Sequence, residues 1–307
     1  VGDEPAPRSD AHPSGPGGSD AGDGPAPILV LGHLDTVHPV GTFDPVFRVE
    51  DGRAHGPGTF DMKGGWACML EALDRAVPRR PVVVLATCDE ETGSDTSRAL
   101  IEEHGLAACA VLVPEPPFSD GSAKTRRKGV GWYRLTVHGR ASHAGLAPED
   151  GVNAVMELAH QVMAITALAD PAAGTTVTVT EAAGGTATNV VPARASAGVD
   201  VRFTSLAEAE RVDAAIRSLD VVLEGARLEL AGGINRPPME RSDGIASLYE
   251  RARVLASEAG WELGEGLSGG ASDGSFTAAL GVPTLDGLGP RGAGAHATHE
   301  HVDVADL

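Results

Sequence analysis

Three unbroken apolar runs constrain the fold of this 307-residue chain more than any other feature. They are ILVLG at 28–32, PVVVLAT at 81–87 and ACAVLVPE at 108–115. Runs without polar alternation are typical of strands that are buried on both faces of a parallel sheet. Helical patterns lie between these runs at 62–76 and 94–104. Strands that alternate with helices predict an α/β architecture with a mostly parallel sheet.

The pattern changes in the middle of the chain, where half-exposed strands and amphipathic helices follow one another in the order βαββαβ. The predicted strands lie at 132–139, 175–182, 195–204 and 221–231, and the predicted helices at 151–168 and 206–219. This order predicts an antiparallel sheet with two helices on one face. Helical patterns at 243–259 and 272–280 then restore the α/β texture.

We therefore expect an α/β catalytic domain that is interrupted by a smaller α+β domain. The catalytic domain is predicted at 28–118 and 235–307, and the inserted domain at 119–234. Residues 1–27 contain Val1 as their only large aliphatic or aromatic residue. Such a segment cannot bury enough apolar surface to offset its ordering entropy, so we expect a flexible lead-in.

The net charge limits the classes of partner that the chain can bind, and the cysteine content indicates its cellular compartment. A formal net charge of −19 argues against nucleic acid or an anionic membrane as a partner. The three cysteines, Cys68, Cys88 and Cys109, lie in apolar surroundings and cannot pair evenly. We expect buried free thiols and a cytoplasmic location. Because the chain begins with Val1, a removed signal peptide stays an open alternative.

The side chains that follow the three apolar runs are those that bind metals. These are His33 and Asp35 after the first run, Glu90 and Glu91 after the second, Glu115 after the third, and Asp61 in the loop GPGTFDMKGG. Ligands of open α/β sheets collect beyond the carboxyl ends of the strands. Carboxylates crowded at such an edge repel one another unless they take up protons or a cation.

Imidazole and carboxylate ligands suit zinc, with cobalt or manganese as substitutes. Several carboxylates suit two ions about 3.5–4 Å apart that share one bridging carboxylate. Each motif alone also has a structural explanation: a surface His–Asp pair, acids at a helix start, or a turn with a capping Asp. Their succession after buried strands favours the metal site.

The motifs GHLDTVHPVGTF, GRAHGPGTFDMKGG, CDEETGS, VPEP, GRASHAG, TNVVP and GLGPRGAGAHATHEHV together resemble one family. It is the zinc aminoacylase/carboxypeptidase family, which includes glutamate carboxypeptidase, acetylornithine deacetylase and succinyl-diaminopimelate desuccinylase. The first and last motifs look most like the glutamate carboxypeptidase branch. The resemblance runs from about residue 28 to residue 303.

The resemblance implies a site with two zinc ions. Its ligands would be His33 and Glu115 for the first ion, Glu91 and His296 for the second, and Asp61 for both. Asp35 would orient His33 through the second ring nitrogen. Glu90 would be the general base. His299 ranks second to His296 as the C-terminal ligand.

The inserted domain resembles the family's lid and dimerisation domain, which implies a homodimer. His143 would stabilise the oxyanion of the transition state, commonly in the partner subunit's site. Asn189 would contact the substrate. Arg236 would bind the free carboxylate of the substrate, because a guanidinium meets a carboxylate bidentately. The alternatives are a turn residue for His143 and an exposed loop residue for Arg236. We expect Lys63 and Arg127 to be ion-paired or solvated and not catalytic.

The function implied is metal-assisted amide hydrolysis that releases a C-terminal amino acid, glutamate foremost, from a peptide or N-acyl amino acid. An alternative is an N-acyl-amino-acid deacylase, either a deacetylase or a desuccinylase. Both reactions use an arginine for the free carboxylate, so Arg236 does not separate them. A truncated, non-catalytic relative is the alternative outside the enzymes.

Overall fold

A six-stranded sheet carries most of the residues predicted to form the site. The computed structural model describes residues 24–307, so the predicted lead-in at 1–27 lies almost entirely outside the described residues. The strands are β1 (Ile28–His33), β2 (Arg48–Glu50), β3 (Arg53–His55), β4 (Val82–Thr87), β5 (Ala110–Val113), β6 (Ala123–Arg127), β7 (Gly129–His138), β8 (Thr176–Gly184), β9 (Arg194–Phe203), β10 (Arg227–Arg236), β11 (Glu265–Ser268), β12 (Thr284–Asp286), β13 (Gly292–Ala293) and β14 (His301–Asp303). The helices are α1 (Gly64–Arg75), α2 (Arg98–Ala107), α3 (Ala154–Thr166), α4 (Leu206–Arg217), α5 (Asp243–Glu258) and α6 (Gly274–Ala279).

The six strands lie in the order β11-β6-β12-β5-β1-β4. All neighbours are parallel except β12 and β6, which confirms the predicted mostly parallel sheet. The central strands are buried, and Leu29, Leu31 and Val111 pack against Ile101 of α2 and Phe276 of α6. The run at 81–87 departs from the prediction of full burial, because β4 is the edge strand and leaves one face partly exposed.

The predicted βαββαβ unit is an antiparallel sheet in the order β10-β7-β9-β8. Its core contains Leu135, Phe203 and Ile165, and is closed by α3 and α4. The last strand begins at Arg227 instead of residue 221, which is a correction of the predicted bounds. The reason is the buried carboxylate of Glu157, which accepts the backbone N–H groups of residues 222 and 223 and holds them in a turn.

The chain crosses between the two sheets twice, at residues 127–129 and at residues 236–239. Strand β6 was expected in the inserted domain, but it pairs with β12 and β11 of the six-stranded sheet. Its polar sequence AKTRR fits that place because Arg127 is buried in an ion pair with Asp286 of β12. The division into a catalytic and an inserted domain otherwise stays a prediction.

A small antiparallel sheet in the order β13-β14-β3-β2 joins the C-terminal segment to the region before α1. The three cysteines are free, but Cys88 and Cys109 are exposed, so the predicted burial of these thiols is wrong. Cys88 directly follows the edge strand β4, and Cys109 follows α2. Within residues 24–307, no helix has both the length and the apolar character that crossing a membrane requires.

Candidate metal centre

Three parallel strands deliver the first group of polar side chains to one edge of the sheet. His33 is the last residue of β1, and Glu115 lies two residues after β5. Glu90 and Glu91 lie in a single turn of 3-10 helix shortly after β4. Because β4, β1 and β5 are parallel neighbours, their carboxyl ends lie at the same edge. The alignment follows from the sheet topology that the apolar runs predict.

Asp61 reaches this edge from the segment Thr59–Lys63, which leads into α1. The buried carboxylate of Glu300 holds this segment by accepting the backbone N–H groups of Gly58, Phe60 and Asp61 at 3.0, 3.0 and 2.9 Å. His38 Nε2 lies 3.0 Å from the same carboxylate. The position of Asp61 therefore depends on a residue far away in the sequence.

The two carboxylate oxygens of Asp61 face two different groups of side chains. Oδ1 lies 3.1 Å from Nε2 of His33, and this nitrogen lies 3.6 Å from Oε1 of Glu115. Oδ2 lies 3.4 Å from Nε2 of His296, and this nitrogen lies 3.2 Å from Oε2 of Glu91. The structure thus brings together all five side chains that the sequence suggested as ligands.

The donor atoms of this group, two imidazole nitrogens and three carboxylates, suit zinc or a similar divalent ion. One ligand atom each of His33, Asp61 and Glu91 lies within 4.8 Å of the others. Burial opposes a charge on His33, but hydrogen bonds to Asp61 and Glu115 outweigh it and raise its pKa to about 12. Burial and the charge of Asp61 raise the pKa of Glu91. The cluster therefore attracts positive charge.

Asp35 lies on the other side of the His33 ring. Its Oδ1 is 3.5 Å from Nδ1 of His33, and its backbone oxygen is 3.1 Å from the same nitrogen. Its Oδ2 accepts the backbone N–H of Glu91 at 3.0 Å. Asp35 therefore connects a ligand of the first group with a ligand of the second.

Glu90 lies next to the ligand groups and is largely buried. Burial is the main cause that raises the pKa of Glu90 to about 8, and the charges of Glu115 and Asp273 add to it. The charge of Arg236 opposes this rise. A carboxylate with a pKa near neutrality can both accept and return a proton.

Arg127 is 2% exposed and forms ion pairs with Glu115 and Asp286. Its Nε and one terminal nitrogen donate to the carboxylate of Asp286 at 2.8 and 2.6 Å. The same terminal nitrogen lies 3.3 Å from Oε2 of Glu115. Two buried carboxylates therefore share one guanidinium. Burial and the charge of Asp61 oppose ionisation of Glu115, but the hydrogen bond with His33 and then the charge of Arg127 lower its pKa.

Arg236 ends β10 and is buried among protein groups, and the expected contact with a substrate carboxylate stays a prediction. It is 3% exposed, and one terminal nitrogen donates to the Glu90 backbone oxygen at 2.8 Å and to Ser94 Oγ at 2.7 Å. The same nitrogen lies 3.1 Å from the carboxylate of Glu90 and 3.2 Å from that of Asp273. Protein groups already occupy this face of the guanidinium.

His143 and Asn189 lie together in two connecting segments, one after β7 and one between β8 and β9. Residues 143 and 190 form an antiparallel bridge, and the N–H of Ala144 donates to the backbone oxygen of Asn189 at 2.9 Å. Both side chains are exposed. Among the hydrogen bonds and ion pairs within residues 24–307, none connects either side chain to the ligand groups.

The competing C-terminal histidines lie apart from the ligand groups. His301 is in β14, where its ring packs near that of His55 and its Nδ1 lies 3.0 Å from the backbone oxygen of His299. His299 is exposed. Sequence reasoning missed the supporting acids Glu300, Asp273 and Asp286. The one signal for Asp286 is an acid that ends the apolar segment VPTLD.

Two glycines of the motif at 56–65 have separate structural reasons. Gly58 has a φ of 71°, and a Cβ there would lie 3.0 Å from the backbone oxygen of Asp61. Gly65 lets α1 approach the turn before Glu115, since a Cβ there would lie 1.7 Å from the backbone oxygen of Pro114. These glycines therefore shape the segment around Asp61 and place the helix behind it.

Comparisons with known proteins agree with this geometry. The family model described as "Peptidase family M20/M25/M40" matches residues 29–307. Carboxypeptidase G2 of Pseudomonas sp. (strain RS-16) is 34% identical over 294 residues, which cover 91% of this chain and 70% of that protein. Succinyl-diaminopimelate desuccinylase of Halorhodospira halophila is 30% identical over 305 residues, which cover 90% of this chain and 78% of that protein.

Solved structures show the same fold. Aminopeptidase PepT of Bacillus cereus has a TM-score of 0.73 at 24% identity, covering 93% of this chain and 78% of that chain. The M20 family metallo-carboxypeptidase Sso-CP2 of Sulfolobus solfataricus has a TM-score of 0.67 at 18% identity, covering 92% of this chain and 82% of that chain. The chain therefore belongs to peptidase family M20/M25/M40, a family of metal-dependent hydrolases.

Proposed function

We propose that this chain is a two-metal amidohydrolase that releases a C-terminal amino acid, glutamate foremost, from a peptide or N-acyl amino acid. One observation carries the proposal: Asp61 turns one carboxylate oxygen to His33 and the other to His296. A carboxylate shared in this way between two ligand groups suits a bridged pair of metal ions. His33 and Glu115 would hold one ion, and Glu91 and His296 the other.

Zinc ions at these positions would supply positive charge that polarises the scissile carbonyl and lowers the pKa of an attacking water. Glu90, buried beside the ligands, would take a proton from that water on its carboxylate. The water oxygen bonds to the carbonyl carbon, and the C–N bond then breaks. Glu90 returns its proton to the departing amine nitrogen, so one carboxylate serves as base and then as acid.

His143 is prepared to donate a hydrogen bond to the developing oxyanion. Its Nδ1 accepts the backbone N–H groups of Gly145 and Leu146, both at 3.1 Å. In the neutral ring the proton must then reside on Nε2, which is a donor on an exposed side chain. A fixed donor of this kind stabilises charge that develops in the transition state.

We further propose that His143 acts in the partner subunit of a homodimer that forms through the inserted domain. Within the described residues, His143 contacts none of the candidate metal-binding side chains of its own chain. Met156 and Met163 of α3 are 52% and 72% exposed, and such apolar side chains suit a contact with a second subunit. A mixture of Glu90→Gln and His143→Ala chains tests this. If His143 acts across the dimer, mixing restores about a quarter of the wild-type rate, because each mixed dimer has one complete site. No restoration would place His143 in its own chain's site.

An N-acyl-amino-acid deacylase is the second candidate, and the 30% identity to a succinyl-diaminopimelate desuccinylase favours it. The 34% identity to carboxypeptidase G2 favours release of a C-terminal amino acid. Two substrate series separate them. One varies the acyl group on glutamate, and the other varies the amino acid under a fixed aryl-acyl group. A rate that depends mainly on acetyl or succinyl identity would select the deacylase.

Metal content and one variant test the reaction itself. Elemental analysis of the zinc-dialysed protein should give about two ions per chain. Glu90→Gln should keep these ions and lower kcat on the order of 10²–10⁴-fold. Glu262→Gln, an acid on an exposed loop, is the control. Fewer than one ion per chain, or a near-normal kcat in Glu90→Gln, contradicts the proposal.

We also infer a cytoplasmic location, because Cys68, Cys88 and Cys109 are all unpaired. Fractionation of source cells should recover the protein with cytoplasmic markers. Recovery from an oxidising compartment would contradict this inference.

A further inference from the structure

The two crossings between the sheets lie against each other behind the site. Residue 127 and residue 239 form an antiparallel bridge, with backbone hydrogen bonds of 3.1 and 3.0 Å in the two directions. Each crossing carries a buried arginine. Arg127 ends β6 and reaches Glu115, whereas Arg236 ends β10 and reaches Glu90. The inserted sheet is thus joined to the site at two carboxylates with different roles.

Arg236 is held by buried groups of the six-stranded side. Asp273 is 2% exposed and accepts Thr87 Oγ1 at 3.0 Å as well as Ser94 Oγ. Ser94 in turn accepts from the guanidinium at 2.7 Å. A substrate carboxylate could reach this nitrogen only by displacing these buried acceptors. Removing the acceptors of a buried charge is costly, so the arrangement favours a fixed arginine.

Asn235 adds a second connection beside the first. Its side-chain Nδ2 donates to the backbone oxygen of Gly93 at 3.0 Å, and its Oδ1 accepts from Arg236 at 3.0 Å. The last two residues of β10 therefore hydrogen-bond to both ends of the turn that contains Glu90. A displacement of β10 would pull on that turn.

We propose that Arg236 is a positioning residue that fixes the carboxylate of Glu90 and couples the inserted sheet to it. The inference rests on the proposed function, since it takes Glu90 as the base. A planar guanidinium suits this task because its donors have a fixed geometry. When the inserted sheet moves, Arg236 moves with β10, and Glu90 has its working position only when β10 is docked. Recognition of the substrate's carboxylate then falls to other groups.

Kinetics of two variants test this assignment. Arg236→Gln should lower kcat about 10–100-fold with little change in KM, because the base is misplaced while the substrate's binding groups remain. Arg236→Lys should keep part of kcat because the positive charge stays. The rest should be lost because lysine lacks the planar guanidinium that donates in two fixed directions. Arg241→Gln is the matched control, since Arg241 forms an exposed pair with Glu265. If KM rises and kcat is unchanged, Arg236 binds the carboxylate of the substrate, and the proposal is overturned.

Hydrogen exchange in the metal-free, substrate-free protein gives a second readout. Peptides covering residues 89–97 should exchange faster in Arg236→Gln than in the wild type and in Arg241→Gln. A residue that only binds substrate would leave this exchange unchanged, and that result overturns the proposal. If Arg236→Gln fails to fold, Arg236→Lys carries both measurements. If the wild-type protein has no hydrolytic activity, the proposed function is rejected. Hydrogen exchange at residues 89–97 would still test whether Arg236 holds the turn that contains Glu90.

Discussion

The site edge of the six-stranded sheet and the core of the inserted sheet bury different kinds of side chain. The edge of the first buries His33, Glu115, Arg127, Asp273 and Asp286, which are all ionisable. The core of the second is an apolar cluster that includes Leu135, Phe203 and Ile165. Buried charges are tolerated only where partners or a cation compensate them, whereas apolar packing needs no such compensation. Buried ionisable groups are therefore concentrated at the edge that carries the candidate site, whereas the inserted sheet is held mainly by apolar packing.

The largest effect should come from removing the shared carboxylate. Asp61→Ala should lower bound zinc to well under two ions per chain, and hydrolysis should fall on the order of 10³-fold, because the loss of metal charge costs several kcal/mol in the transition state. Elemental analysis and steady-state rates measure both. Asp74→Ala, on the exposed side of α1, is the control. Two ions per chain in Asp61→Ala would show that Asp61 bridges nothing.

The next largest effect should come from breaking a buried ion pair. Arg127→Gln leaves the carboxylates of Glu115 and Asp286 without their guanidinium, and the free energy of unfolding should fall by about 3–5 kcal/mol. Urea unfolding measures it. Arg217→Gln, which removes an exposed pair with Asp213, should cost less than about 1 kcal/mol. An equal loss of unfolding free energy in the two variants would contradict the distinction between the buried ion pair at the site edge and the exposed pair on α4.

A smaller effect is expected in the apolar core. Ile165 of α3 is fully buried, so Ile165→Val should lower the free energy of unfolding by about 0.5–1.5 kcal/mol. Zinc content and kcat should not change, because no ligand contacts this cluster. A loss of zinc in Ile165→Val would mean that the inserted core supports the site directly.

The smallest effect should appear as a dependence on pH. Hydrogen bonds from Arg211 and Thr175 lower the pKa of Glu208 to about 2. The folded pKa lies below the unfolded value of about 4.3, so this stabilisation is present above pH ~4.3 and is lost as the pH falls toward 2. Glu208→Gln should therefore cost about 0.2–1 kcal/mol at pH 7 and nearly nothing near pH ~2. Urea titrations at both pH values measure it, and a cost that grows toward low pH would contradict the sign.

The sequence predicted the architecture because it follows from local patterns, whereas the ligand set was implied by the resemblance to a family and stays a prediction. Apolar runs identify parallel strands, and the residues after the strands, such as His33 and Glu115, must then share an edge. The full burial of 81–87 was wrong because edge position depends on strand order. Strand β6 was not predicted at all, because its polar sequence AKTRR has no apolar pattern and its burial depends on the pair between Arg127 and Asp286 of β12.

The supporting residues could not be predicted, since their partners are distant in the sequence. Arg127 and Asp286 are 159 residues apart, and Arg236 and Ser94 are 142 apart. The protein partners of Arg236 could not be predicted for the same reason, and its expected role at the substrate stays a prediction. An arginine at the end of a strand can point to a substrate or to other protein groups. Its surroundings here depend on how the chain passes from β10 to the six-stranded sheet, which the sequence does not show.

Glu300 makes the site dependent on a segment that is synthesised long after Asp61. The carboxylate that holds the segment around Asp61 comes 239 residues after it, and His296 lies on the same C-terminal segment. A nascent chain that has reached residue 115 already contains His33, Asp61, Glu91 and Glu115, but it lacks the acceptor for three backbone N–H groups of the Asp61 segment. The candidate site can therefore be completed only after residues 296–300 have been synthesised and have left the ribosome.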